Sequence, residues 1–335
     1  MRRAFHGLLS AGVVALGAGL ASPADAANYP ALYAFGDSLS DAGNAYIATG
    51  GAEPASPPYS AGRFSNGPVW VQDLAAQLGL GPLTASLAGG TDFAVGGAQT
   101  GTTPVHAANA SDLPGQLAAF QAAVPHPASG ALYTLWIGAN DLFSILGTPN
   151  ITTAAAEAGA RAAAPNVVNF VAGLAADGAK NLLLVTVPNL GVVPAITMYG
   201  AAAEAAATGL SAYFDQALVQ DVGAEAAGAG MNLSVLDTFS LIDGAVANPT
   251  QFGFTNVTAS CWTGNYTGTS GALCSNTAAG QDQYLFWDHV HPTAAGQLIV
   301  ADAAYAEVPE PGSLLLLAGG IGALALLRRR AAHAA

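Results

Sequence analysis

Positive charge is almost missing from this chain of 335 residues: Lys and Arg number 8 against 21 Asp and Glu. Five of those cations, Arg2, Arg3, Arg328, Arg329 and Arg330, sit at the two ends. Between Ala27 and Glu310 only Arg63, Arg161 and Lys180 remain, against 20 acidic residues. Binding to phosphate backbones and anionic headgroups draws on Lys and Arg, so no nucleic-acid partner is expected. Cysteine is equally scarce. Cys261 and Cys274 are the only two, and a zinc site would need further ligands at suitable spacing. Phosphate-cradling loops are missing too. No G-x-x-x-x-G-K-[ST] occurs, and Gly96-Gly97 lacks the G-x-G-x-x-G frame, which argues against a nucleotide-binding module. Apolar residues, by contrast, make up 52% of the chain. That excludes general disorder and supplies a large core for one sizeable domain.

Both ends read as address labels. Met1-Arg2-Arg3 precedes an apolar run over 8–21, and Ala24-Asp25-Ala26 is an A-x-A site. This is the layout of a secretory signal peptide over 1–26, removed by signal peptidase, with the mature protein starting near Ala27. In an exported chain, two cysteines in a Gly, Asn, Thr and Ser setting pair by default, and Cys261–Cys274 is the expected disulfide. At the other end Val308-Pro309-Glu310-Pro311 is followed by apolar residues over 312–327 and then Arg328-Arg329-Arg330. As a helix that apolar run spans about 24 Å, short of a hydrocarbon core of about 30 Å. The arginines supply a cytoplasmic anchor. The segment 308–335 resembles the PEP-CTERM sorting signal of Gram-negative bacteria; a plain C-terminal membrane anchor is the alternative. The resemblance implies removal by an exosortase-type enzyme. It also implies delivery, after transient membrane anchoring by the C-terminal helix, to the periplasm, outer surface or extracellular matrix.

Between the labels, short apolar runs look like buried parallel strands. They cover 31–35, 132–137, 182–187 and 232–236, with 91–95 as a shorter candidate. Helical stretches are expected over 69–78, over 117–124 after Pro114, over 166–176 after Pro165, and through the alanine-rich 198–227. Alternating strands and helices imply a three-layer α/β/α sandwich with a central parallel sheet, a flavodoxin-like arrangement. Ligands then bind beyond the carboxyl ends of the strands. Residues 248–283, rich in Thr, Asn, Gly and Ser, read as a long loop held by the cysteine pair, forming a rim or lid over that crevice.

Four separated stretches carry chemistry. Ser38 lies in Gly36-Asp37-Ser38-Leu39-Ser40, just past a strand. Gly96-Gly97 offers backbone N–H groups, and Gly138-Ala139-Asn140-Asp141 offers a carboxamide. Asp288-His289-Val290-His291-Pro292 offers an imidazole with a carboxylate three residues before it. A serine hydroxyl needs a base to become nucleophilic, and acyl transfer needs donors aimed at the developing oxyanion. Taken singly, Ser38 is a turn serine, Gly96-Gly97 a tight turn and Asn140 a helix cap. Asp288 with His289 and His291 is then a capped helix start or half a metal site.

Together the stretches resemble the GDSL (or SGNH) hydrolases over about 31–301. The nucleophile block runs on as Phe35-Gly36-Asp37-Ser38-Leu39-Ser40-Asp41-Ala42-Gly43-Asn44. The glycine block is Thr91-Asp92-Phe93-Ala94-Val95-Gly96-Gly97-Ala98, with Asp92 where the family usually has Asn. The resemblance implies that residues 27–307 form an SGNH-hydrolase domain that needs no metal or organic cofactor. By that resemblance Ser38 is nucleophile, His291 general base and acid, and Asp288 the group that orients His291. The Ser38 N–H, the Gly97 N–H and the Asn140 side chain form the oxyanion hole, with Gly96 one residue away as the other candidate. His289 is dispensable.

The expected activity is hydrolysis of short- to medium-chain carboxylic esters, lipid or small-molecule, through an acyl-enzyme. O-acetyl groups of an extracellular polysaccharide are the alternative substrate, and a catalytically idle matrix or surface protein is the alternative class.

Overall fold

Short runs of Leu, Val, Tyr and Phe with both faces apolar form strands only where both faces can be covered. The computed structural model describes residues 29–308 apart from residue 129; the expected leader over 1–26 and all but the first residue of the tail lie outside the described residues. Strands β1 (Leu32–Gly36), β2 (Leu132–Trp136), β3 (Asn181–Val185) and β4 (Asn232–Leu236) pair in parallel in that order. A second parallel pair joins β5 (Asn256–Ser260) to β6 (Tyr284–Phe286). Among the described residues the helices are, in chain order, α1 (Asn44–Ala48), α2 (Trp70–Gln77), α3 (Leu113–Ala123), α4 (Ala139–Leu146) and α5 (Thr153–Ala176). They continue with α6 (Pro194–Thr197), α7 (Ala201–Gly228), α8 (Thr238–Ala247), α9 (Ala278–Gln281) and α10 (Ala294–Glu307).

The period-2 alternation of each strand sorts its residues into two cores. Tyr33, Phe35, Tyr133, Leu135, Leu182 and Leu184 join a cluster with Phe120 of α3, Phe170 of α5 and Phe214 of α7. Leu32, Ala34, Leu132, Trp136, Leu183 and Val185 join one with Trp70 and Leu74 of α2 and Val300 of α10. The result is a three-layer α/β/α sandwich.

The four main strands fall within two residues of the expected runs, and the exceptions have local causes. The 91–95 segment lies beside β1 but forms no strand of its own. It is tied there by Ala34 N–H to Thr91 O (3.1 Å), Phe93 N–H to Ala34 O (2.7 Å) and Val95 N–H to Gly36 O (3.1 Å). It flanks β1 on the side away from β2, so the connections diverge at β1, the crevice position of a doubly wound sheet. Helix α5 starts at Thr153 rather than at 166, with Pro165 inside it. The Thr152 side chain caps it by accepting from Ala155 N–H at 3.2 Å, and the following alanines propagate it through the proline. Residues 248–283 are not one loop: they contain β5 and α9. Cys261 and Cys274 form a disulfide with a Cα–Cα distance of 4.6 Å. Closing a loop of that size stabilises by about 3 kcal/mol in the chain-entropy view.

Gly36 ends β1 with φ +143°, and a Cβ there would lie 2.1 Å from the Trp136 carbonyl oxygen. Gln116 of α3 grips Gly36 through both of its flanking peptides, accepting from Gly36 N–H at 3.0 Å and donating to Gly36 O at 2.7 Å. Gly36→Ala is therefore expected to destabilise the fold by roughly 3 kcal/mol or more, read as a lowered urea midpoint. An unchanged midpoint would show that the β1–β2 contact relaxes freely.

Candidate active site

β1 ends in a turn stiffened by its own acids, which aims Ser38 across the carboxyl edge of the sheet. Asp37 Oδ1 accepts Leu39 N–H at 3.0 Å. Asp41 accepts the N–H groups of Gly43, Asn44 and Ala45 at the start of α1, and that of Gly96 at 2.8 Å. Asn44 donates to the carbonyls of Asp92 and Ala94, each at 2.8 Å. The serine turn and the glycine turn are thus wired to one another. Asp92 joins in by accepting Ala42 N–H (2.6 Å) and Ala94 N–H (3.0 Å), and it touches none of Ser38, Asn140 or His291.

His291 reaches this turn from the loop between β6 and α10. Its Nε2 lies 2.7 Å from Ser38 Oγ, and its Nδ1 lies 2.8 Å and 3.0 Å from the two Asp288 carboxylate oxygens. An ionised carboxylate only accepts, so Nδ1 carries the hydrogen and Nε2 presents a lone pair to the serine hydroxyl. Ser38 is 8% exposed and His291 3%.

Asp288 is the most tightly held of the three. Its Oδ1 accepts N–H from Val290 (2.9 Å) and His291 (2.8 Å), and its Oδ2 accepts the Tyr59 hydroxyl at 2.8 Å. Burial opposes its charge, yet the facing imidazole and the backbone donors hold its carboxyl below the usual range. Burial and the Asp288 charge in turn push the Tyr59 phenol up. Tyr59 escaped the sequence reading: it lies 229 positions from its partner, in a Pro- and Gly-rich stretch with no periodicity.

Gly97 and Asn140 face the same space. Gly97 has φ +79° and open room where a Cβ would stand. The Gly96 N–H is held by Asp41, whereas among the described residues the Gly97 and Ser38 N–H groups make no hydrogen bond. Asn140 lies in the first turn of α4, and one of its amide hydrogens goes to Ala98 O at 3.0 Å. The amide keeps a second donor. Asp141 accepts the Thr100 N–H (3.0 Å) and hydroxyl (2.7 Å), which fastens α4 to the glycine segment. Burial pushes the Asp141 carboxyl up to about 6.

Ser38, Gly97, Asn140 and His291 line one cleft of about 290 Å³, walled by Phe64, Phe143, Pro188, Leu190 and Tyr266. His289 points away, its Nδ1 3.1 Å from Ser260 Oγ. Among the described residues there is no group of three or more His, Cys, Asp or Glu placed to hold a metal ion.

Residues 32–304 match the family described as GDSL-like lipase/acylhydrolase. The chain belongs to that family. Residues 307–331 match the PEP-CTERM protein-sorting motif, which marks the chain for export. Among the described residues no helix is long and apolar enough to cross a membrane. The esterase EstA of Pseudomonas aeruginosa is 30% identical over 323 residues, covering 86% of this GDSL chain and 48% of the relative. The thermolabile hemolysin of Vibrio parahaemolyticus is 28% identical over 277 residues, covering 80% and 61%. A phosphatidylcholine-sterol acyltransferase of Aeromonas hydrophila is 31% identical over 233 residues, covering 69% and 65%. The GDSL chain therefore spans between about half and two-thirds of the length of these relatives.

Proposed function

We propose that this protein hydrolyses carboxylic esters through a covalent acyl-enzyme formed on Ser38. The observation that carries the reading is the relay from Ser38 Oγ through both His291 nitrogens to Asp288, opening onto an apolar cleft. Ser38 Oγ attacks the ester carbonyl carbon while His291 Nε2 takes its proton. The negative charge that develops on the carbonyl oxygen meets the N–H groups of Ser38 and Gly97 and the Asn140 amide. The imidazolium, steadied by Asp288, then protonates the departing alkoxide. A water molecule repeats the sequence on the acyl-serine and regenerates the hydroxyl. No step calls on a metal or organic cofactor.

Residues 27–307 form the catalytic domain, released by cleavage after Ala26 and sorted by the segment 308–335. The names of the relatives, an esterase and an acyltransferase among them, favour acyl chemistry at this serine. The cleft, at the small end of the roughly 300–1,000 Å³ usual for ligand pockets, favours short to medium acyl chains. An O-acetyl group on an extracellular glycan fits the same volume.

Aryl esters from acetyl to palmitoyl test the reading. Turnover should peak below the long chains and require Ser38; a well-folded protein inert toward all of them would refute ester hydrolysis. Asn140→Ala should lower kcat by roughly 10²–10³ with little change in KM, the loss typical of one oxyanion donor. A larger effect on KM than on kcat would make Asn140 a ground-state contact instead.

A further inference from the structure

The 261–274 loop carries one aromatic ring that belongs to two cavities. Tyr266 lines the apolar cleft that holds Ser38, and it also lines a second cavity of about 410 Å³. The second cavity differs in chemistry: Thr263, Asn265, Ser270 and His289 line it, with the far side of Asp288. Several of these groups have hydrogen-bonding capacity left over. Among the described residues Ser270 Oγ and His289 Nε2 have no partner, and Asn265 uses one amide hydrogen, on Thr269. Ser270 has a left-handed backbone, φ +53°.

Tyr266 is 39% exposed yet firmly placed. Its carbonyl accepts Ala55 N–H at 2.7 Å, and the preceding Asn265 carbonyl accepts the Trp262 indole N–H at 3.2 Å. The disulfide closes the loop behind it. Its ring centroid stands 5.5 Å from that of Phe64 and 5.8 Å from that of His291.

Ester cleavage needs two product spaces, one on each side of the scissile bond. The acyl half occupies the cleft with the proposed oxyanion donors, whose further walls Phe143, Pro188 and Leu190 are apolar. The alcohol half must leave from His291 Nε2, which protonates its oxygen. The cavity on the other side of Tyr266 shares the 288–291 loop with that imidazole. Apart from the Asp288 carboxylate the lining offers neutral donors and acceptors, which suit hydroxyl groups rather than an anionic headgroup.

Resting on the ester-hydrolase reading, we propose that this second cavity binds a hydroxylated alcohol half, glyceryl or glycosyl. In this arrangement Tyr266 is the partition that separates it from the acyl chain. The enzyme is then selective for esters of polyols over esters of simple alcohols carrying the same acyl group.

The test compares ethyl butyrate, 1-monobutyrin and methyl 6-O-butyryl-glucoside on the full chain, on Tyr266→Ala and on the double variant Ser270→Ala/His289→Ala. Wild type should favour one or both polyol esters over ethyl butyrate by about tenfold or more in kcat/KM. Which one is favoured tells a lipid source from a glycan source. Both variants should bring that ratio close to one, the double variant mainly through KM. Tyr266→Ala should also accept longer acyl chains as the two cavities merge. Cleavage of ethyl butyrate with no polyol preference, or a preference unchanged in both variants, overturns this inference and leaves ester hydrolysis standing. A wild type inert toward all three esters and toward the aryl panel overturns both.

Discussion

Replacing Ser38 by alanine is expected to lower kcat on a soluble aryl ester by roughly 10⁶-fold, and His291→Ala by about as much. The two act as one device: without Oγ there is nothing to acylate, and without Nε2 the hydroxyl keeps its proton. The double variant should therefore be no slower than either single one. What survives is the weaker help of the Gly97 and Asn140 donors to attack by water. Neither replacement touches the sheet or the two cores, so the Ser38→Ala midpoint should stay near wild type. His291→Ala should lower it by the support it takes from the buried Asp288 carboxylate. Full turnover by a folded Ser38→Ala protein would remove the acyl-enzyme from consideration.

Asp288→Asn is the second large effect, a fall of roughly 10⁴ in kcat with near-normal KM. The side chain keeps its shape, and its carbonyl oxygen can still accept the Val290 and His291 N–H groups. Its nitrogen, however, donates where the carboxylate accepted. The imidazole answers by placing its hydrogen on Nε2, which then faces Ser38 as a donor and takes no proton from it. The lowered carboxyl pKa of Asp288 keeps it an acceptor for the Nδ1 hydrogen at neutral pH. Single-turnover rates on the aryl ester read this directly. A loss under tenfold would mean that the ring is oriented by something other than Asp288.

The sequence made β1, β2 and β3 legible because each is mostly apolar on both faces, and β4 through Leu233, Val235 and Leu236 running up to Asp237. Thr91-Asp92-Phe93-Ala94-Val95 has the same texture, yet its backbone serves β1 and the Asn44 side chain instead of a full ladder. Pro165 misled because proline reads as a boundary, while the true start signal was Thr152, thirteen residues earlier. The candidate site was legible as blocks, since Ser38, Gly97, Asn140, Asp288 and His291 each sit in a short distinctive string. Its supports were not. Tyr59 and Gln116 act across 229 and 80 positions respectively, on partners that no local pattern names. β5 hid in a stretch of Thr, Asn and Ser because its Thr258 and Ala259 stay exposed and leave no apolar run.

Ser38 and the imidazole that faces it, His291, lie 253 residues apart along the chain. Ser38 comes early in synthesis, and so do both proposed oxyanion donors; His291 comes close to the last. On the proposed roles, a product cut short between residues 38 and 291 would hold the nucleophile without its base and be chemically silent. Hydrolysis by this chain is then a readout of translation past residue 291 and closure of the sandwich. On the proposed roles, esters near the ribosome never meet a half-built chain that can cut them.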